Sequence, residues 1–203
     1  MIFYFPPLWE FKGGLVRAFL TTSLVVSSLA AFAMSAFAAD LKLSKGHVEF
    51  LAIGKPSAIK IRGKGDALQS SALQFKDGKL SGHFVFDLSS LDTGIDMRNE
   101  HMKEKYLEVG KYKNAELELT PLDFAQDICK TDVKQDHTAF AGTLKLHGVE
   151  KPVKGEFDMK PGHSQASFNL NLTDYKIEIP VYLGIKVADQ VATTVELDWS
   201  CAQ

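Results

Sequence analysis

The sequence predicts an all-β protein: an antiparallel barrel of eight strands with one helix and an irregular covering loop. Three observations carry this expectation. From residue 39 onward apolar residues recur at every second position, the period of a strand with one dry and one wet face. Turn signals such as Asp77-Gly78 separate the runs. No GxGxxG, phosphate-binding loop or alternation of strand with helix is present, so the α/β folds are set aside.

Taken in order, the run from His47 to Ile53 alternates weakly, and Ile59 and Ile61 then face away from Lys60 and Arg62. Asp77-Gly78, between Phe75 and Leu80, predicts a two-residue hairpin. Leu80, Gly82, Phe84, Phe86 and Leu88 share a face, with Ser81, His83 and Asp87 opposite. After Asp92, Thr93 and Gly94 the period changes. The stretch Asp96 to Leu107 is rich in helix formers and carries Met102, Tyr106 and Val109 at i, i+4, i+7 spacing, which predicts one helix of about three turns. Asp92 or Thr93 is expected near its cap. Period two then resumes in Ala115, Leu117 and Leu119, in Phe140, Gly142, Leu144 and Leu146, and in Val149, Val153, Gly155, Phe157 and Met159. It continues through Ala166, Phe168, Leu170 and Leu172 and ends in Val191, Val195, Leu197 and Trp199. His147-Gly148 and Pro161-Gly162 mark two reversals. The apolar, irregular stretch from Asp174 to Gln190, with Pro180 and Gly184, is expected to cover one end of the sheet.

Eight or nine one-sided strands must hide their apolar faces, and both a sandwich and a closed barrel do so. Glycines 63, 82, 142 and 155 lie on the apolar faces, where a curling sheet or an approaching ligand needs a missing side chain. That favours the barrel, whose interior at about eight strands holds one slender ligand.

The chain ahead of residue 39 reads differently. Lys12 and Arg17 precede an apolar, small-residue run from Ala18 to Ala33, and Ala36-Phe37-Ala38 fits a signal peptidase site. Residues 1–38 are therefore read as a cleaved secretory signal and 39–203 as a single domain. A membrane anchor fits less well, because Thr21, Thr22, Ser23, Ser27 and Ser28 interrupt the run. Cleavage leaves 165 residues with 21 Lys and Arg against 24 Asp and Glu. Without a cationic excess, nucleic acid is not an expected partner. Cys129 and Cys201 remain and would meet an oxidising compartment, where a disulfide between them is one outcome and two free thiols the other.

Two segments carry a resemblance. Leu91-Asp92-Thr93-Gly94, Met97-Arg98-Asn99-Glu100-His101-Met102, Tyr106-Leu107 and Lys111-Tyr112 leading into Ala115-Glu116-Leu117 resemble the central signature of the YceI-like family. Gly142-Thr143-Leu144-Lys145-Leu146-His147-Gly148-Val149-Glu150-Lys151-Pro152-Val153 is similar to that family's second motif. The chain departs from the pattern at Asn99, where Asp is common, at Met102, where Leu is common, and at Thr173-Asp174-Tyr175, a reduced form of a later element. The resemblance implies a periplasmic, lipocalin-like barrel that binds an isoprenoid lipid or quinone without a further cofactor. A cytochrome b561-type membrane protein is the macromolecular partner it brings into view; a homodimer is a separate outcome that the sequence leaves open.

The candidate ligand-binding residues follow. Phe84, Phe86, Leu144, Phe157, Phe168 and Leu170 fall on the inner faces, and Met102 and Tyr175 border them. Arg98 and His101, three apart on the helix, share a face and suit a quinone oxygen or pyrophosphate, or else anchor the helix through hydrogen bonds. Glu100, His101 and Glu104 lack the HExxH arrangement, so no metal is expected. Ser70, Ser71, Ser89 and Ser90 lie in no nucleophile elbow, so no catalytic residue is assigned. The competing expectations are an enzyme acting on a lipid within the barrel and a stress-response module that binds a protein partner.

Overall fold

The computed structural model describes residues 39–56, 59–182 and 184–202. The segment read as a secretory signal lies outside them. Eleven strands are present: β1 (Ala39–Lys55), β2 (Ile59–Gly65), β3 (Leu68–Lys76), β4 (Lys79–Asp87), β5 (Asn114–Asp123), β6 (Gln135–Leu146), β7 (Val149–Lys160), β8 (His163–Asn171), β9 (Val181–Tyr182), β10 (Ile185–Val187) and β11 (Gln190–Cys201). One helix, α1 (Asp96–Glu100), continues into a wider turn over His101–Tyr106.

The strands form one antiparallel sheet in the order β11, β8, β7, β6, β5, β4, β3, β1. Pairing of β1 with β11, from Leu41 opposite Cys201 to Leu51 opposite Ala192, closes the ring at eight strands. The barrel wins over the sandwich because β1, at 17 residues, is long enough to pair on both sides. On one side it meets β11. On the other it meets β2 from Val48–Gly65 to Gly54–Ile59, and β3 only at Ala39–Phe75 and Asp40–Gln74. Between those stretches β1 and β3 have no ladder, and the Leu68 side chain packs over Gly46, where a Cβ would stand 2.8 Å from Leu68 Cβ. The ends of β1 and β2 and the β9–β10 hairpin extend beyond the ring at its upper end, where β10 pairs with Gly54 and Lys55.

The turns follow their chemistry. Asp77 and Gly78 have φ of 53° and 74°, and His147 and Gly148 have φ of 51° and 73°, the mirror-image turn that matches strand twist. Three elements differ from the sequence reading. β1 begins at Ala39, eight residues before His47, and β3 shows in the sequence only through the Asp77-Gly78 turn that ends it. A bulge between Ser71 and Gln74, with Ala72 at φ 54°, breaks the alternation of β3. The helix starts at Asp96 as expected, but its cap position is Ile95, whose side chain makes no capping bond, and not Asp92 or Thr93. Those two residues are drawn into a closed loop instead, because the Asn99 side chain reaches back to both. Near its end the helix widens, with Leu107 N–H donating to Met102 O at 2.9 Å, so Val109 lies past the helical turns.

The lower end is closed by the loop after β5. Phe124 and Ile128 are buried there, and Phe124 meets Phe75 and Phe157 with ring centroids 6.1 and 6.4 Å apart. Asp127 folds the loop into a turn by accepting from Cys129 N–H at 2.9 Å, which presents Cys129 to Cys201. The two are joined by a disulfide with Cα atoms 5.8 Å apart.

Candidate functional site: an apolar barrel interior

The inward side chains do not meet across the ring. They enclose a cavity of about 690 Å³, within the span of small-molecule sites. It runs from Leu41, Leu122, Ile128 and Met159 at the lower end to Ile59, Ile95, Met97 and Val181 at the upper end. Glycine explains part of this emptiness. A Cβ on Gly155 would stand 2.7 Å from Phe140 Cε1, and the Phe50 ring lies over Gly63 in the same way. The rings settle flat against the wall where these glycines leave room, instead of crossing the interior. Phe140 and Phe168 then meet edge to face at 6.2 Å. The ligand that the missing side chains suggested is thus, at these two positions, a neighbouring ring of the wall itself.

Of the residues singled out from sequence, Phe84, Phe86, Arg98, His101, Met102, Leu144, Phe157, Phe168 and Leu170 all line the cavity. Tyr175 does not. It is almost fully buried in the turn Leu172–Tyr175, and the wall beside it is formed by Leu172 and Ile177. Burial, with Asp174 adjacent, raises its hydroxyl pKa above the ordinary value. The sequence reading placed it on the wall because the covering loop has no period from which to tell inside from outside. It also left out Ile59 and Ile61, whose alternation with Lys60 and Arg62 was the available signal, and Ile95, Met97, Pro180, Val181 and Ile185, to which only the apolar character of short stretches could have pointed.

Few polar groups reach the interior. Thr193 is buried on β11, and Ser164 Oγ accepts from Trp199 Nε1 at 2.9 Å. At the mouth stand Thr93, Arg98 and His101. Arg98 Nε donates to Thr93 Oγ1 at 2.9 Å and Nη2 to Thr93 O at 2.6 Å, while Asn99 Oδ1 accepts from Thr93 N–H and Oγ1–H at 2.8 and 2.7 Å. Arg98 is therefore an anchor of the mouth loop. Two of its five N–H donors are used in these bonds, and three remain.

A second network holds the upper loops together. His147 Nδ1 lies 3.1 Å from Tyr175 O, and its Nε2 lies 2.8 Å from Glu108 Oε2, tying the end of β6 to the covering loop and to the segment after α1. The Tyr112 ring packs on His147 with centroids 4.4 Å apart. Across the barrel seam, His47 Nδ1 faces Asp66 Oδ1 at 2.5 Å and its Nε2 faces Glu49 at 3.1 Å. The Asp66 carboxylate raises the His47 pKa against the opposing effect of burial, with help from Glu49. Among the described residues no three His, Cys, Asp or Glu side chains gather as a metal site would require.

Fold and interior together define a lipocalin-like antiparallel barrel with an apolar cavity open at one end. Residues 36–199 match the YceI-like domain, and the chain belongs to the YceI-like family. Among solved structures it is similar to a polyisoprenoid binding domain from Saccharophagus degradans implicated in plant cell wall breakdown, at 20% identity and a TM-score of 0.62, covering 80% of this chain and 98% of that one. It is also similar to BcnA of Burkholderia cenocepacia, at 16% identity and a TM-score of 0.58, covering 79% and 99%. At these identities the likeness is one of fold. No curated protein matches the sequence.

Proposed function

We propose that this is a periplasmic binding protein, not an enzyme, that sequesters or carries a long apolar lipid of the isoprenoid or isoprenoid-quinone class inside the barrel. The observation that carries this reading is the cavity, about 690 Å³ of aliphatic and aromatic wall with its charged group confined to the mouth. Burial is the mechanism: each methylene taken from water contributes roughly 0.8 kcal/mol, so a chain gains affinity in proportion to the length it threads. The three remaining Arg98 donors and the exposed His101 would meet the headgroup at the mouth. The polyisoprenoid-binding domain of the same fold supports the choice of ligand class. A quinone cargo would suit exchange with a cytochrome b561-type membrane protein.

Native mass spectrometry of the processed protein taken from its own periplasm, followed by organic extraction, tests the reading. The expected result is a stoichiometric isoprenoid on a chain that begins at Ala39. Ala166→Phe, which fills the cavity from β8, is expected to remain folded and lose the lipid, because a hollow site accepts added volume that a packed core would not. A bare protein that also takes up no added polyprenol or quinone overturns the proposal.

A further inference from the structure

The rim around the cavity mouth is apolar where a protein surface is ordinarily polar. Ile59 is 43% exposed, Ile95 52%, Met97 58% and Val181 56%, and these are the exposed large apolar side chains of the described residues. Scattered single residues of this kind are normal. These four come from three separate segments, the start of β2, the beginning of α1 and β9, yet all border one opening.

Charge gathers at the same end. Residues 54–62 carry Lys55, Lys60 and Arg62, and residues 179–188 carry Lys186, with no acidic residue in either stretch. The α1 segment adds Arg98, Lys103 and Lys105 against Asp96, Glu100 and Glu104. The first two stretches are cationic, the second flanked by Glu178 and Asp189, and the α1 segment is balanced, although the whole chain has a net charge of -2. Lys55, Lys60, Arg62 and Lys186 are exposed, and the lysine ion pairs among the described residues involve other lysines.

We propose that the mouth docks on a bilayer that contains anionic lipid, with Ile59, Ile95, Met97 and Val181 entering the headgroup layer and the surrounding lysines and Arg62 meeting lipid phosphates. Apolar side chains flanked by cations form the chemistry of interfacial binding. Charge argues against a second copy as the occupant, since a two-fold interface would set the cationic rim against itself. Docked in this way, the cavity opens into the bilayer, and a lipid passes between the two without crossing water. The surface stands on the rim and not on the identity of the cargo, so vesicle binding and lipid extraction fail independently.

The test is co-sedimentation of the processed protein, purified from its own periplasm, with vesicles of phosphatidylethanolamine and phosphatidylglycerol, compared with phosphatidylcholine alone. Lys60→Glu with Arg62→Glu removes charge, and Ile95→Ser with Met97→Ser removes the apolar contact. Thermal melts establish that these exposed substitutions leave the fold intact. The expected result is binding that prefers the anionic vesicles, weakens with salt, and falls by about fivefold or more for each removed cation. Ile95→Trp gives a direct reading, with quenching by brominated lipid expected beyond that of the wild type, whose Trp199 lines the cavity. Equal binding by wild type and variants, absence of an anionic preference, or absence of this added quenching overturns the proposal. So does a wild-type dimer that the rim variants turn to monomer with vesicle binding unchanged, which would assign the rim to a second copy.

Discussion

A Cβ on Gly148 would stand 2.6 Å from Cε1 of Tyr112, so the ring occupies the place a side chain would take. The contact fixes Tyr112 against His147, and His147 in turn holds Glu108 and the Tyr175 carbonyl. Gly148→Ala is expected to cost about 2–4 kcal/mol, from its left-handed φ of 73° and from displacement of the ring. Urea melts measure the loss. Tyr112→Ala in the same chain is expected to recover part of it, because the second substitution removes the clash.

Arg98 serves the mouth loop through Thr93, whatever it does for a ligand. Arg98→Ala is expected to lower stability by about 1.5–3 kcal/mol, the scale of charged hydrogen bonds. Arg98→Lys keeps the cation but loses the paired geometry. Comparing the melts of the two variants with their retained lipid separates the roles: a headgroup contact is expected to show as lipid kept by Lys and lost by Ala. Equal retention in both would limit Arg98 to anchoring.

The His47–Asp66 pair, which ties β1 to the connection between β2 and β3, is expected to make this contact sensitive to pH. A raised His47 pKa means that the folded state holds the proton more tightly than the unfolded chain. Its contribution is complete below the ordinary histidine value of about 6.5 and disappears as pH rises through the raised value. Hydrogen bonding to His47 lowers the Asp66 pKa, so its contribution is present above the ordinary carboxylate range and disappears as pH falls through the lowered value. The pair is strongest between these limits. Titration of the His47 ring resonances is expected to give a midpoint above that of a free histidine, and Asp66→Asn is expected to bring it down.

The disulfide closes a long loop, with 72 residues separating its ends. Removing it through Cys129→Ser with Cys201→Ser is expected to cost about 4 kcal/mol in urea melts, on the loop-entropy account. Amide exchange is expected to rise first around Phe124 and Ile128, which the bond holds beneath the barrel.

Period two made β4 to β8 and β11 legible, because each shows one face to the cavity or core and the other to water. That same contrast placed Phe84, Phe86, Leu144, Phe157, Phe168 and Leu170 on the inner wall. It failed where the backbone bulges, as at Ala72 in β3 and between Leu43 and Lys45 in β1, since one extra residue shifts the alternation to the opposite face. It also failed at the mouth, where Ile95, Met97 and Val181 are exposed and come from stretches too short to show a period. Tyr175 shows the complementary failure: an aromatic residue in an irregular loop is buried, but by its neighbours and not by the cavity.

The one covalent cross-link stands at the pole of the barrel farthest from the opening. The base and the last strand are held by this covalent bond, while α1, the β1–β2 extension and the β9–β10 hairpin are held by hydrogen bonds and packing alone. Amide exchange is expected to be faster in this collar than at the base. Widening of the neck would leave the pairing of β1 with β11 intact.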